Sequence, residues 1–173
     1  MALTLSLRAA RLSDLSAVDL LLSRSYLRLL AADYPPSVMV TALPIIARAR
    51  PDLLTSGRYY LAFGAGGQLL GAGGWSAAAP GPSDQPAAGA AAVGHVRHVA
   101  TDPMAVRQGV ARAVMQAVFD AALGAGVTRM ECLSTRTAVP FYAAIGFRVL
   151  GSVDVPLRAG IVFPAVRMIR DRI

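Results

Sequence analysis

Leu3, Leu5 and Leu7 alternate with Thr4, Ser6 and Arg8, and this period of two predicts an opening strand with one buried face. The rhythm then changes. Leu15, Val18, Leu21, Leu22 and Leu29 are spaced for one face of a helix, which is predicted to run to Ala32 with the Ser13 side chain as its N-cap. Tyr34-Pro35-Pro36 ends that helix, because proline lacks an N–H and constrains the residue before it. A second helix is predicted over residues 37–48, kinked or divided at Pro44. Residues 58–63 (RYYLAF) and 68–76 read as two strands of a hairpin turning at residues 64–67. Residues 77–94 (AAAPGPSDQPAAGAAAVG) carry no periodicity and are expected to form a mobile surface loop inside one domain.

A third run, residues 95–101 (HVRHVAT), is predicted as a strand that stops at Asp102-Pro103. After Gly109 the stripe Val110, Val114 and Val118, with Met115, Phe119 and Leu123 beside it, predicts a helix whose polar face carries Arg112, Gln116 and Asp120. Gly124 and Gly126 end it. Residues 127–133 read as a strand, 137–145 as a short helix with Pro140 in its first turn and Gly146 behind it, and 147–153 and 161–169 as two more strands. The order β-α-α-β-β-β-α-β-α-β-β is a mixed α/β arrangement, with helices on a partly antiparallel sheet and residues 1–173 forming one domain.

Composition narrows this picture. With 173 residues, 55% of them apolar and 16% charged, the chain can build a proper core, and disorder of the whole is excluded. A mean hydropathy of +0.51 raises the question of a membrane span. Arg, Asp, Gly or Pro cut every apolar run short of the 18 or so residues a span needs, so a soluble chain is expected. Residues 1–10 are too short and too alternating for a secretory signal, which leaves the cytoplasm as the expected location. The single cysteine, Cys132, excludes an intrachain disulfide and a cysteine-rich zinc site, and no metal is expected. All 17 basic residues are Arg, and the net charge of +7 favours anionic ligands. These arginines are scattered singly, so nucleic acid is not expected as a partner.

The strand, glycine turn and helix around Gly109 carry candidate chemistry. A helix start presents unpaired N–H groups and the positive end of the helix dipole, and Gly109 and Ala111 leave room there for an anion. Arg107, Gln108 and Arg112 add two guanidiniums and an amide, a cradle suited to a diphosphate, although a glycine turn capping an ordinary amphipathic helix has the same pattern. The lysine of a nucleotide-hydrolase loop and the three glycines of a dinucleotide fingerprint are absent, which excludes those classes.

Val106-Arg107-Gln108-Gly109-Val110-Ala111, downstream of Pro103, resembles the Q/R-x-x-G-x-G/A pyrophosphate loop of the GNAT acetyltransferase superfamily, with Val106 where the family prefers Gln or Arg. Pro140-Phe141-Tyr142-Ala143-Ala144-Ile145-Gly146-Phe147 resembles that family's second signature, an F-Y-x-x-x-G-F helix end. The resemblance implies a GNAT-like fold of about seven strands, splayed between the fourth and fifth, and acetyl-coenzyme A as co-substrate. It also implies transfer of the acetyl group to a primary amine of a small molecule or peptide in a ternary complex, with a homodimer as a possible assembly. Backbone groups of Val99, Ala100 and Thr101 would hold the acetyl carbonyl and the pantetheine arm. Arg107, Gln108, Gly109, Val110, Ala111 and Arg112 would hold the diphosphate, with Phe141 beside the arm. Tyr142 matches the residue that protonates the leaving thiolate in many relatives, and its alternative role is an aromatic that pins its helix to the sheet.

Many relatives use a glutamate on the strand before the loop as general base, but the only Glu here is Glu131 on the next strand. His95 and His98 are the titratable groups on the expected strand, and strand parity predicts that they cannot both face one cleft. His95, His98, a water relay and an already neutral amine all stay open as ways to take the proton. Cys132 is read as a small buried hydrophobe in preference to a nucleophile. Tyr34 and Trp75 are candidates to line the acceptor cleft, with a core role equally open for Trp75. Without a glutamate base the chain would also suit a non-catalytic module that binds acyl-coenzyme A.

Overall fold

The computed structural model describes residues 3–79 and 92–173, so most of the segment expected to form a mobile loop lies outside the described residues. Seven strands form one sheet in the order β1-β2-β3-β4-β5-β7-β6. They are β1 (Leu5–Ala9), β2 (Tyr59–Gly64), β3 (Leu69–Ser76), β4 (Val93–Thr101), β5 (Arg129–Ser134), β6 (Arg148–Arg158) and β7 (Ile161–Arg170). Five of the six pairings are antiparallel, and β4 with β5 is the parallel one. A parallel pair needs a crossover, and α5 (Val110–Gly124) supplies it.

Each face of the sheet has its own core. On one side α1 (Leu15–Leu29), with the short helices α2 (Pro36–Thr41), α3 (Leu43–Ile46) and α4 (Pro51–Leu54), buries Val18, Leu22 and Leu54 against Tyr59, Leu61 and Phe163. On the other, α5 buries Met115, Val118 and Phe119 against Met130, Cys132, Met168 and the aromatics of α6 (Val139–Ala144). Val110, Val114, Met115, Val118 and Phe119 of the predicted stripe are buried, whereas Leu123, expected beside them, is 47% exposed. Gly73 lets that helix lie close, since a Cβ there would sit 2.9 Å from Val114 Cγ1 and 2.8 Å from Val99 Cγ2.

The local expectations hold in outline and fail at boundaries with physical causes. Ser13 is not the N-cap of α1. The chain makes a 3-10 turn over Leu12–Asp14, and the Asp14 carboxylate takes the Arg11 N–H at 2.8 Å and both arms of the Arg8 guanidinium at 2.8 Å. A two-armed charge-assisted pair outweighs a neutral hydroxyl. Helix α1 ends at Leu29, before Ala32, and the helix expected over residues 37–48 is divided into α2 and α3, with Pro44 in the first turn of α3. Pro51 starts the unanticipated turn α4. Strand β6 runs five residues beyond its expected end at Val153, sustained by pairing to β7 as far as Arg158.

Between Ala72 and Gly74 the β3–β4 register slips, with Ala72 opposite Ala100 and Gly74 opposite Arg97. Two residues of β4, His98 and Val99, therefore oppose Gly73, which is a β-bulge, and His98 takes a left-handed backbone with φ +48°. A histidine held there is strained, and buried phenols hold it: Tyr59 donates to the His98 carbonyl at 2.7 Å and Tyr26 to the Val99 carbonyl at 3.3 Å. Tyr59→Phe keeps the ring and leaves the His98 carbonyl without this donor, for an expected loss of about 1–3 kcal/mol. In a chain of this size that lowers the melting temperature by roughly 2–4 °C per kcal/mol, and a thermal scan with an unchanged midpoint would show the bulge to be held by other contacts.

Candidate active site

The parallel ladder joins β4 and β5 only at Val93, Gly94 and His95, opposite Arg129, Met130 and Glu131. Beyond His95 the two strands part. Val96, Arg97, Ala100 and Thr101 keep their β3 partners on one side, and among the described residues no strand pairs with residues 96–101 on the other, so a wedge with an open backbone edge widens towards the end of β4. Val99, Ala100 and Thr101, the predicted arm-binding residues, lie on this open stretch. The Val99 carbonyl, however, already accepts the Tyr26 hydroxyl.

The glycine turn follows directly. Asp102 is buried and fixes the start of the turn, taking the Met104 N–H at 2.9 Å and the Arg24 guanidinium at 2.6 Å. Gln108 turns its amide back to the Met104 carbonyl at 3.2 Å, so this side chain shapes the loop instead of reaching out as expected. Arg107 at φ +65° and Gly109 at φ +85° are left-handed, and this reversal points the chain into α5 with Gly109 as N-cap. No side chain caps the helix, and a Cβ on Gly109 would meet nothing within 4 Å. The first N–H groups of α5 thus face open space between the exposed side chains of Arg107 and Arg112. A diphosphate fits this arrangement of donors, charge and room.

Tyr142 sits on α6 at 6% exposure, with its ring edge-on to Phe141 (5.2 Å between centroids) and Phe147 (5.3 Å). Burial, with smaller contributions from Cys132 and Tyr26, pushes its phenol well above 10, so it stays protonated at any working pH. Phe141 is half-buried beside it. Cys132 is buried on β5, and desolvation pushes its thiol up to about 12, which removes it as a nucleophile at neutral pH.

The two histidines line different cavities, as the parity expectation has it. His98 belongs to the bulge, and both Arg97 and His98 line a cavity of about 420 Å³ on the α1 side of the sheet. His95 instead lies at the closed apex of the wedge, in a small recess of about 20 Å³ with Glu131 and Cys132. Glu131 is paired with Arg167 at 3.2 Å. Burial lowers the His95 imidazole below its ordinary value, Glu131 partly opposing and Arg97 and Arg167 adding to the shift. His98 goes further, down to about 4, through burial first and then Arg97 and Arg50, with Asp52 opposing; its Nδ1 is sealed without a hydrogen-bond partner. The unfolded chain takes up this proton near 6.5 and the folded one only near 4. Stability is therefore full above pH 6.5 and falls as pH drops towards 4, by about 3 kcal/mol from this group. Denaturant titrations at pH 7 and pH 4.5 check this, and His98→Asn, which tolerates a positive φ, is expected to flatten that window.

The two residues predicted to line the acceptor cleft do not wall this cavity. Trp75, at 2% exposure, belongs to the α5-side core, with the Arg58 guanidinium 4.5 Å above its ring. Tyr34 stacks behind the wall on Phe163 at 4.9 Å, donates to the Pro164 carbonyl and accepts the Arg136 N–H, both at 2.8 Å. The wall instead uses Tyr26, Arg48, Arg50 and Arg97, together with apolar side chains such as Ile45 and Leu157. In the sequence only Arg97, set between two histidines, hinted at this. Among the described residues no group of three or more His, Cys, Asp or Glu could hold a metal ion, and no helix is long and apolar enough to cross a membrane.

Residues 46–169 match the family model of the acetyltransferase (GNAT) domain. A search of curated proteins finds no significant match. Among solved structures, a GCN5-related N-acetyltransferase from Rhodopseudomonas palustris superposes with a TM-score of 0.76 at 18% identity, covering 99% of this chain and 98% of that one. The PaiA N-acetyltransferase from Thermoplasma acidophilum, solved in complex with coenzyme A, gives 0.70 at 14% identity over 97% and 99%. A GCN5-related N-acetyltransferase from Kribbella flavida gives 0.63 at 20% identity over 96% and 97%. These likenesses bear on the fold, and they agree with the splayed seven-stranded sheet. Taken with the family model that spans its wedge, loop and α6, they place the chain in the GNAT superfamily of acyltransferases, whose chemistry is acetyl transfer from acetyl-coenzyme A.

Proposed function

We propose that the protein is an acetyl-coenzyme A-dependent N-acetyltransferase that acts on a primary amine seated in the 420 Å³ cavity, with both substrates bound at once. One observation carries this reading. The strands that bound the wedge also wall the cavity, through Val96, Arg97 and His98 of β4 and Leu133 of β5, so the donor and acceptor sites share a boundary. The cavity is of a size that suits a small molecule. When bound, acetyl-coenzyme A supplies a thioester: the amine nitrogen forms the new C–N bond to its carbonyl carbon, the C–S bond breaks, and the sulfur leaves with the electron pair.

The chain's own groups meet the needs of that exchange. The first-turn N–H groups of α5, with Arg107 and Arg112, hold the diphosphate, and the open edge of β4 holds the arm. Tyr142 is protonated in the resting site and gives that proton to the leaving sulfur, and the proton the nitrogen loses as the C–N bond forms returns through water to restore the phenol. The imidazole of His98 is neutral at pH 7 and lines the cavity, but a group titrating near 4 is a weak base for an ammonium. The acceptor therefore sheds its proton mainly to water, helped by the guanidiniums around it, which disfavour a second positive charge.

The test is thiol release from acetyl-coenzyme A with a mixed amine panel. Acetylation of one or more amines is expected, with a pH limb that moves with the basicity of the acceptor and survives in both His95→Ala and His98→Ala. Coenzyme binding with no thiol release for any amine would instead fit a non-catalytic binding module, a reading that the absence of a carboxylate on β4 favours.

A further inference from the structure

The cavity's charge is one-sided. Its wall carries three guanidiniums, Arg48 and Arg50 from the connection between α3 and α4 and Arg97 from β4, and among the described residues no carboxylate lines it. The nearby carboxylates stay outside that wall. Asp19 takes the Ala49 N–H at 2.6 Å and stands 3.9 Å from Arg48, while Asp52 pairs with Arg50 at 2.8 Å. Arg97 is placed deep, at 6% exposure, with its guanidinium on the Ser76 hydroxyl at 3.0 Å, whereas the Arg48 side chain is 74% exposed. The same wall also carries Ile45, Ile46, Leu157 and Phe163, which give it an apolar part. Burial does most to keep the His98 imidazole neutral, with Arg97 and Arg50 adding to it and Asp52 opposing.

From this arrangement we infer that the acceptor is an amphipathic amine bearing a carboxylate, of the amino-acid class, with its anion held among Arg48, Arg50 and Arg97 and its apolar part against the cavity's apolar side chains. The inference rests on the acetyltransferase reading and adds a selection rule to it. Guanidinium forks match a carboxylate and reject a second ammonium, so diamines and polyamines are poor acceptors. Recognition of the anion at a distance from the reacting nitrogen adds to binding of ground state and transition state alike, so its loss raises KM more than it lowers kcat.

The experiment compares leucine, phenylalanine and methionine, each with its amide and its decarboxylated amine, and adds 1,5-diaminopentane. At least one amino acid is expected to exceed its own amide tenfold or more in kcat/KM, with the diamine lowest. Arg48→Gln and Arg50→Gln are expected to shrink that ratio to about threefold or less through KM, while the affinity for coenzyme A, read by calorimetry, stays unchanged. Amides or diamine turned over as well as the acids, or a ratio unchanged in both variants, would overturn the inference. If coenzyme A binds and no amine is acetylated, the activity reading fails and the acceptor class is judged by binding alone. Calorimetry with coenzyme A present then compares the N-acetyl amino acids with their N-acetyl amides. Tenfold tighter binding of an acid, lost in Arg48→Gln, supports the anion site, and equal or undetectable binding of both removes it.

Discussion

Tyr142→Phe is expected to lower turnover by about 100-fold while leaving the affinity for coenzyme A within about twofold, because positioned proton transfer contributes 10² to 10⁴ in rate and little to ground-state binding. The substitution is clean in this setting. The ring contacts with Phe141 and Phe147 survive it, and so does the burial of the side chain between α6 and β5. Only the phenolic proton is lost. Burial has pushed that phenol well above 10, so no deprotonated fraction at pH 6 to 9 complicates the comparison. Steady-state rates with one active amine, together with calorimetry of coenzyme A, separate the two roles open to this residue. An unchanged kcat would return Tyr142 to pinning α6 on the sheet.

Periodicity carried the frame of this molecule a long way. The alternation around Leu5, the stripe from Val110 to Val118 and the glycines after α5 are local signals, and each produced the element it predicted. The loop at Gly109 was readable for the same reason, since a left-handed glycine before an amphipathic helix is written within a few residues. The 420 Å³ cavity was not. Its shape depends on a bulge that places His98 at positive φ, and the hydroxyl that holds this backbone belongs to Tyr59, 39 residues away on another strand. No window of sequence contains that pair, so strand parity separated the two histidines but could not show the bulge or the cavity that His98 lines. Trp75 and Tyr34 show a second limit. An aromatic side chain reads equally well as cleft or core until its strand's facing is known, and here one is sealed beneath α5 and the other tied to Pro164 and Arg136 behind Phe163.

Gly109→Val tests the donor site, and the expected result is coenzyme A affinity weakened at least tenfold, about 1.4 kcal/mol. Two effects of the valine must be told apart. At φ +85° any L-residue is strained, at a cost of about 1–2 kcal/mol to the folded state, and a branched side chain most of all. The second effect is occlusion: a Cβ at this position meets no protein atom within 4 Å, so the new methyls project into the space before the first N–H groups of α5. Gly109→Ala carries most of the backbone strain with little of the bulk. If occlusion governs, alanine and valine lose similar stability in denaturant while their affinities for coenzyme A diverge, valine binding several-fold weaker. If strain alone governs, affinity follows stability in both variants. Gly124→Ala, at the far end of the same helix and facing open space, is the control, and its affinity should match that of the unmodified protein. Calorimetry that finds full affinity in a folded Gly109→Val protein would show that the diphosphate lies elsewhere and that Arg107 and Arg112 serve only the surface of the helix.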